Sequence, residues 1–452
     1  MALILGSGTT KPQYPYDQWY GVQGDFSSTD SNLTRVGNLD LHRTLPVHSK
    51  MRRFVENTDG SVKYYLHQND SRKKDSGAAA VLDSTDGNVM LEIPEHYFRF
   101  EVSGTKWIFG ISEYPLPGFV KIPRRTISPW GCTVDNVNNT VVSGSWLTWS
   151  GDAVAKDGNG LPIFKSNAGQ FRGAGNTAGN DGTTKSGLGM CRTSIDRTSM
   201  RNRCKNGTHV GAFRAYNTIK WLFRIEYATM NCQKAYNATL DANGFHQGGL
   251  GEGTAFDGTA WNTHNGYNPF IPCGVTATLG NNTGLVEYTF NLTQGGTKTC
   301  QVQSYRGFEV PFEYIWLNCD DVLIHHSPDT AHALSVAYLC DDPTLFVTPG
   351  NTQEAIPSGY VAKTTLPRAS CYPKYEEVDS VTEASFPAVS GGSATTGIDD
   401  YFYHPGAEAD GWYAALFGGG ADNGAPAGFG SLLTDYRPTN TTANIGFRLC
   451  RN

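Results

Sequence analysis

The chain has 452 residues, enough for one large or two ordinary domains and for a sizeable core. Charged residues are scarce at 17% while Gly (52 residues) and aromatic residues (12%) are plentiful, a composition of loops and short strands held by a few large apolar anchors. The net charge of −6 argues against a nucleic-acid partner, and no run of about 18 apolar residues offers a membrane-crossing helix.

The first residues, Met1-Ala2-Leu3-Ile4-Leu5, lack a basic flank and are not expected to act as a secretory leader. Ten cysteines stand at 132, 191, 204, 232, 273, 300, 319, 340, 371 and 450. They form no Cys-x-x-Cys pair, which speaks against zinc ribbons and thioredoxin-like sites. Reduced, buried thiols are expected, with a disulfide framework as the alternative.

Residues 1–30 are polar and carry Tyr14, Tyr16, Trp19 and Tyr20, so they read as an extended arm that docks on another chain. Residues 31–125 read as a β-rich part, with strand-like runs over 62–66, 89–93 and 96–102, followed by a proline-fixed connector over 112–119. Residues 126–190 hold Trp146 and Trp149 and a long Gly/Asn/Thr tract, expected to be an insertion or surface loop.

The basic stretch Arg192, Arg197, Arg201, Arg203 and Lys205 is the best candidate for a polyanion contact. A short helix is expected over 194–202, where Ser194 and Asp196 offer caps. The main helix is expected over 216–236, with Ile219, Leu222, Phe223, Tyr227 and Met230 at helical spacing. Trp221 and Ile225 widen that stripe into a core helix, and Glu226 inside it reads as a carboxylate satisfied by Arg or backbone. Short strands resume beyond 244, around 288–292 and 314–317. Asp320-Asp321 and Asp341-Asp342 are expected to be surface acids, since their spacing matches no calcium loop. The adjacent His325 and His326 should point to opposite faces of a strand.

The C-terminal segment is the most informative. Trp412, Ala414 and Leu416 alternate with Tyr413, Ala415 and Phe417 in a strand packed on both faces, and Gly418-Gly419-Gly420 ends it in a tight turn. A polar loop follows, short of large aliphatics, and Ile445, Phe447 and Leu449 form a closing strand. Small and amide side chains with a few aromatics on such a frame make an adaptable binding surface. The residues expected to face a ligand are Tyr413, Asp422, Asn423, Phe429, Ser431, Asp435, Tyr436 and Arg437, with Trp261 and Tyr267 as a neighbouring aromatic platform.

Four segments carry a resemblance: Leu39-Asp40-Leu41-His42-Arg43-Thr44 and on to Arg52; Leu222-Phe223-Arg224-Ile225-Glu226-Tyr227; Ser304-Tyr305-Arg306-Gly307-Phe308-Glu309 and on to Trp316; and Gly411-Trp412-Tyr413 through Asn444-Ile445-Gly446-Phe447-Arg448-Leu449-Cys450. Together they resemble phage and prophage virion proteins carrying a C-type-lectin-like domain of the formylglycine-generating-enzyme type, above all fibre and receptor-binding proteins of Bacteroides and crAss-like phages. The last segment also resembles the variable region of retroelement-diversified proteins, although Gly420, Ala421, Ala425 and Ala427 depart from their Asn-dense pattern. The resemblance covers roughly residues 31–125 and 191–452.

It implies an α+β fold: a C-type-lectin-like core of mainly antiparallel short strands, one or two helices and long Gly/Asn-rich loops, with residues 191–452 as the ligand-display domain. It implies a phage fibre or tail component, made in the bacterial cytoplasm, that binds a host-surface glycan or protein. Such a protein would dock on other virion chains through its N-terminal arm and form a dimer or trimer. The alternative is a structural head fibre, decoration or collar whose lectin-like domain contacts virion chains. Neither reading calls for a cofactor, a metal, nucleic acid or membrane insertion. Catalysis is the remote alternative: the enzymes of this type use paired cysteines near the Gly-Phe-Arg strand, whereas here Cys450 stands alone and the nearest other in sequence is Cys371.

Overall fold

A computed structural model describes residues 15–135, 138–145, 190–251, 261–262, 266–291, 297–327, 334–351, 355–406 and 410–452. Three sheets, all largely antiparallel, carry the molecule, and few helices accompany them. The N-terminal sheet runs, in spatial order, Thr34–Gly37, Tyr20–Asp25, Lys106–Ser112, His96–Ser103, Val120–Ile122. The middle sheet runs Cys450–Arg451, Arg125–Ile127, Val89–Ile93, Arg53–Glu56, Val62–His67, Asp70–Lys74. The C-terminal sheet runs Tyr360–Thr365, Ser335–Cys340, Trp316–His326, Gly411–Phe417, Leu432–Leu433, Phe402–Tyr403, with Ile445–Gly446 joining Trp316–His326 in parallel.

The expected runs over 62–66, 89–93 and 96–102 are strands, but two expected segment boundaries need correction. The arm proposed for 1–30 is part of the fold from Trp19 onward, because Tyr20–Asp25 is hydrogen-bonded on both edges and Tyr20 and Val22 are fully buried. Residues 1–14 lie outside the described residues. Likewise the insertion expected over 126–190 begins inside the middle sheet, where Thr126 and Ile127 pair with both Val89–Ile93 and the C-terminal Cys450–Arg451. Residues 146–189, with Trp146 and Trp149, lie outside the described residues.

Helix α1 (Leu39–Thr44) is capped by Asn38, and α2 (Arg197–Arg201) by Asp196, whose carboxylate accepts from the Ser199 N–H at 2.8 Å. Helix α3 (Phe213–Tyr227) starts earlier than expected and stops nine residues sooner than 236. Its first N–H groups are satisfied from another element: Asp321 accepts from Phe213 N at 2.9 Å and from Arg214 N at 3.2 Å. It stops because Ala228 turns left-handed and the backbone beyond bonds residues 31–33, with Leu33 N donating to Ala228 O and Met230 N to Ser31 O. Every α3 residue except Arg214 is buried, and the helix lies in one continuous core with the N-terminal and C-terminal sheets.

Burial overturns two further expectations. The basic stretch is not a patch: Arg197 is fully buried, and Arg197 and Arg201 both pair with Asp320. Asp320 and Asp321 are buried for the same reason, one neutralising these guanidiniums and the other capping α3. His325 and His326 do diverge, the first against Trp412 and the second against Tyr413. All ten cysteines are free thiols, eight of them buried and Cys204 and Cys371 partly so.

Candidate ligand-display surface

Gly411–Phe417 lies in the middle of the C-terminal sheet, and all seven of its residues are buried. Tyr413, Ala415 and Phe417 face the main core, while Ala414 and Leu416 pack with Trp316, Leu433 and Ile445 on the other side. Gly418 and Gly419 then take φ of 97° and 90°, and a Cβ on Gly419 would sit 2.5 Å from that of Ala427, so the turn requires glycine there.

The loop that follows is pinned rather than free. Ala421 N donates to Tyr314 O at 2.9 Å, the Asn423 carboxamide accepts from Gly420 N at 2.6 Å, and Gly430 N donates to the Asp400 carboxylate at 2.6 Å. Gln233 reaches across from behind α3 and donates to the carbonyls of Gly424 and Ala427. Further on, Ala414 N donates to Tyr436 O and Trp316 N to Asn444 O, which ties the second half of the loop to the sheet. The closing strand is shorter than expected. Only Ile445–Gly446 and Cys450–Arg451 pair as strands, because Phe447 to Leu449 turn inward between them and are buried.

The eight residues expected to face a ligand divide by burial. Asp422 and Asp435 are exposed, and Asn423, Tyr436 and Arg437 are half-buried. Tyr413, Phe429 and Ser431 are buried at 3%, 1% and 0% exposure and belong to the frame. Phe429 packs in an aromatic cluster with Phe223, Tyr305 and Phe312, and the Ser431 hydroxyl donates to Tyr401 O at 3.2 Å. Tyr413 lies under Arg437, whose guanidinium sits 4.0 Å over the ring. Trp261 is also an anchor, fully buried with its indole N–H on Asn268 O, and it props the half-buried Tyr267 edge-on at 5.4 Å.

A half-buried aromatic group lies elsewhere. Tyr372, Tyr401 and Tyr403 are half-buried and stand in a ladder, each neighbouring pair at 4.7 Å and nearly perpendicular, ending on Trp316 at 5.7 Å. Burial first, then Tyr372, Tyr401, Asp422 and Asp435, push the Tyr403 phenol up to about 12, so both exposed acids lie within electrostatic reach of the ladder. Burial, Asp435 and Asp422 likewise raise the Tyr436 phenol. The signal was present in the alternation Asp399-Asp400-Tyr401-Phe402-Tyr403-His404. Asp400, Phe402 and His404 point inward, which leaves Tyr401 and Tyr403 on the outer face. Asp399 precedes them, buried, with both carboxylate oxygens lacking a hydrogen-bond partner; burial and then Asp400 raise it to about 7.

Behind Tyr413, the Ser335 hydroxyl bridges His326 Nδ1 at 2.7 Å and His404 Nε2 at 2.8 Å. Burial holds both imidazoles down, at about 3 and about 4, and Ser335 is fully buried, so this chain of hydrogen bonds supports the Tyr413 frame and presents no nucleophile to solvent. The thiol beside Gly446 is Cys191, not Cys371, and burial pushes it up to about 11. Among the described residues no group of three His, Cys, Asp or Glu side chains is arranged to hold a metal ion. No protein-family model matches the chain, and no curated protein matches it in sequence.

Proposed function

We propose that the C-terminal surface is the ligand-binding face of a phage virion protein with a C-type-lectin-like fold, and that it attaches the particle to a bacterial cell surface. The observation that carries this reading is the grouping of the Tyr372–Tyr401–Tyr403 ladder with Tyr436, Asp422 and Asp435 on a loop tied down at both ends. Half-buried tyrosines give large, rigid contact area at little entropic cost, and the acids and Asn423 supply hydrogen-bond acceptors for the hydroxyls of a glycan or the polar groups of a protein. The resemblance of residues 411–450 to virion lectin-like segments supplies the biological setting. Each site on one chain is small, so a dimer or trimer with repeated sites gives the avidity that adhesion needs.

The opposite end of the chain supports attachment to a neighbouring virion chain. Tyr16 and Tyr114 are 67% and 54% exposed, and Tyr16, which follows residues 1–14 closely in sequence, stands edge-on to Trp19, itself packed on Phe119. The test is binding of the purified chain to Bacteroides cells. Tyr403→Ala with Tyr436→Ala is expected to lower binding at least tenfold without changing the melting temperature. Undiminished binding by the folded double variant would refute the display reading. Binding of the same surface to another virion chain instead of to cells would favour the structural alternative.

A further inference from the structure

Two consecutive carboxylates are buried against the loop that follows Gly411–Phe417, Asp399 at 3% exposure and Asp400 at 1%. Asp400 is fully engaged with that loop. Its Oδ2 accepts from Gly430 N at 2.6 Å and its Oδ1 from the Cys232 thiol at 3.5 Å, while Cys232 Sγ in turn accepts from Phe429 N at 3.4 Å. The fit leaves room for glycine only: a Cβ would lie 1.6 Å from Asp400 Oδ1 at Gly428, and 2.9 Å from Oδ2 at Gly430. The backbone beyond the pair is bonded to the same loop. Tyr401 N donates to Pro426 O at 2.9 Å, Leu432 N to Tyr401 O at 3.2 Å and Thr434 N to Tyr403 O at 3.0 Å.

Asp399 has no such partner, since neither carboxylate oxygen is hydrogen-bonded among the described residues. The charges around the pair are already matched. From α3, Arg224 and Lys220 both bind Glu376 of the Pro373–Val378 strand, at 2.7 and 3.0 Å, and all three act on Asp400. From the segment after α3, Cys232 faces Asp400, and Lys234 acts on Asp399 through space while its ammonium donates to Asn32. Tyr372 is a further ionisable neighbour, and burial raises its phenol, so it stays neutral. Two cations, Arg224 and Lys220, thus stand against two anions, Glu376 and Asp400, and a charge on Asp399 has only the distant Lys234 to oppose it.

We propose that Asp399 is a proton-operated latch on this loop: with its proton on, the pair holds residues 426–434 in place, and loss of the proton sets two adjacent carboxylates against each other and loosens them. The physical ground is that a buried carboxylate without a hydrogen-bond donor is costly to ionise and keeps its proton instead. Burial and then the Asp400 charge accordingly raise Asp399 to about 7, and burial raises Asp400 to about 6 against the pull of Arg224. An acid raised in the folded state holds a proton that the unfolded chain has released. Its contribution is therefore fully present below the ordinary value of 3.8 and is lost as pH rises through about 7. The loop is firmest in mildly acidic solution and loosest above neutrality. The latch concerns the loop's own opening and stands apart from the ligand reading.

The test is hydrogen exchange of the full chain, read in residues 427–434 as protection factors corrected for the intrinsic pH dependence of exchange. Protection is expected to fall about tenfold or more between about pH 5.5 and about pH 8.5. Most of that fall should vanish in folded Asp399→Asn, which stays uncharged at every pH. His326 and His404, whose depressed values work in the opposite direction, are common to both chains and cancel in the comparison. The carboxyl carbon resonance of Asp399 in the unchanged chain needs no variant, and its midpoint is expected well above 3.8. A midpoint at or below that value, equal protection at both pH values, or an undiminished fall in folded Asp399→Asn would each overturn the proposal.

Discussion

Glu226 illustrates how a single side chain is decided by its partners. Burial alone would raise its pKa, but Arg306 bonds both carboxylate oxygens at 2.5 and 2.8 Å and, with help from His246 and His48, brings it down to about 2. Tyr305 donates a third hydrogen bond at 2.9 Å. A carboxylate with a depressed folded pKa binds fewer protons folded than unfolded, so its contribution is complete above about 4.5 and is lost as pH falls toward about 2. Glu226→Gln leaves the Arg306 guanidinium poorly paired and is expected to cost about 3 kcal/mol at pH 7. Urea unfolding measures this, and the deficit should shrink at pH 3, where the wild-type carboxylate has lost part of its advantage over its unfolded state. The expectation that this acid is satisfied by Arg followed from sequence, because a carboxylate inside an apolar stripe has to be paired. Which Arg it meets did not, since Arg306 is eighty residues away.

At the scale of elements, the Gly411–Phe417 strand and its turn were legible, and the ends of elements were not. Alternation of large side chains on both faces marks a central strand, and consecutive glycines mark a turn with positive φ. Gly419→Ala places a Cβ against Ala427 and forces an L-residue to φ 90°, so it is expected to cost about 2 kcal/mol and to displace Asp422 and Asn423. Chemical denaturation checks the first effect, and weakened cell binding by the folded fraction checks the second. Helix α3 shows the opposite case. Its apolar stripe continues through Met230, yet the helix ends at Tyr227 because the backbone beyond finds hydrogen bonds with residues 31–33. Periodicity cannot register a competitor so distant in the chain.

Over the whole molecule, the C-terminal strand closes onto the middle sheet. Cys450–Arg451 pairs with Arg125–Ile127, and Arg448 donates to the carbonyls of Ser128, Glu309 and Val310 while its guanidinium stacks 4.0 Å over Phe308. The Gly446-Phe447-Arg448 segment thus locks the middle sheet to the C-terminal sheet. Lysine lacks the planar fork that reaches three acceptors and stacks at once, so Arg448→Lys is expected to cost about 2–3 kcal/mol. A fall in melting temperature would be accompanied by loss of cooperativity between the two sheets, read by hydrogen exchange in Val89–Ile93 and Gly411–Phe417. Unchanged exchange in both strands would contradict the locking role.

The sequence by itself determined the mostly antiparallel β architecture, the core helix, and the framed polar segment from Asp410 to Cys450, because these rest on local periodicity, glycine conformation and composition. Only the tertiary structure decided which side chains of that segment reach solvent. Tyr413, Phe429 and Ser431 are drawn into the frame by neighbours remote in the chain, whereas Tyr372, Tyr401 and Tyr403 stay half-buried in a ladder of rings. Alternation states that a strand has two faces. Which face meets water depends on what packs against the other, and that is a property of the folded chain alone.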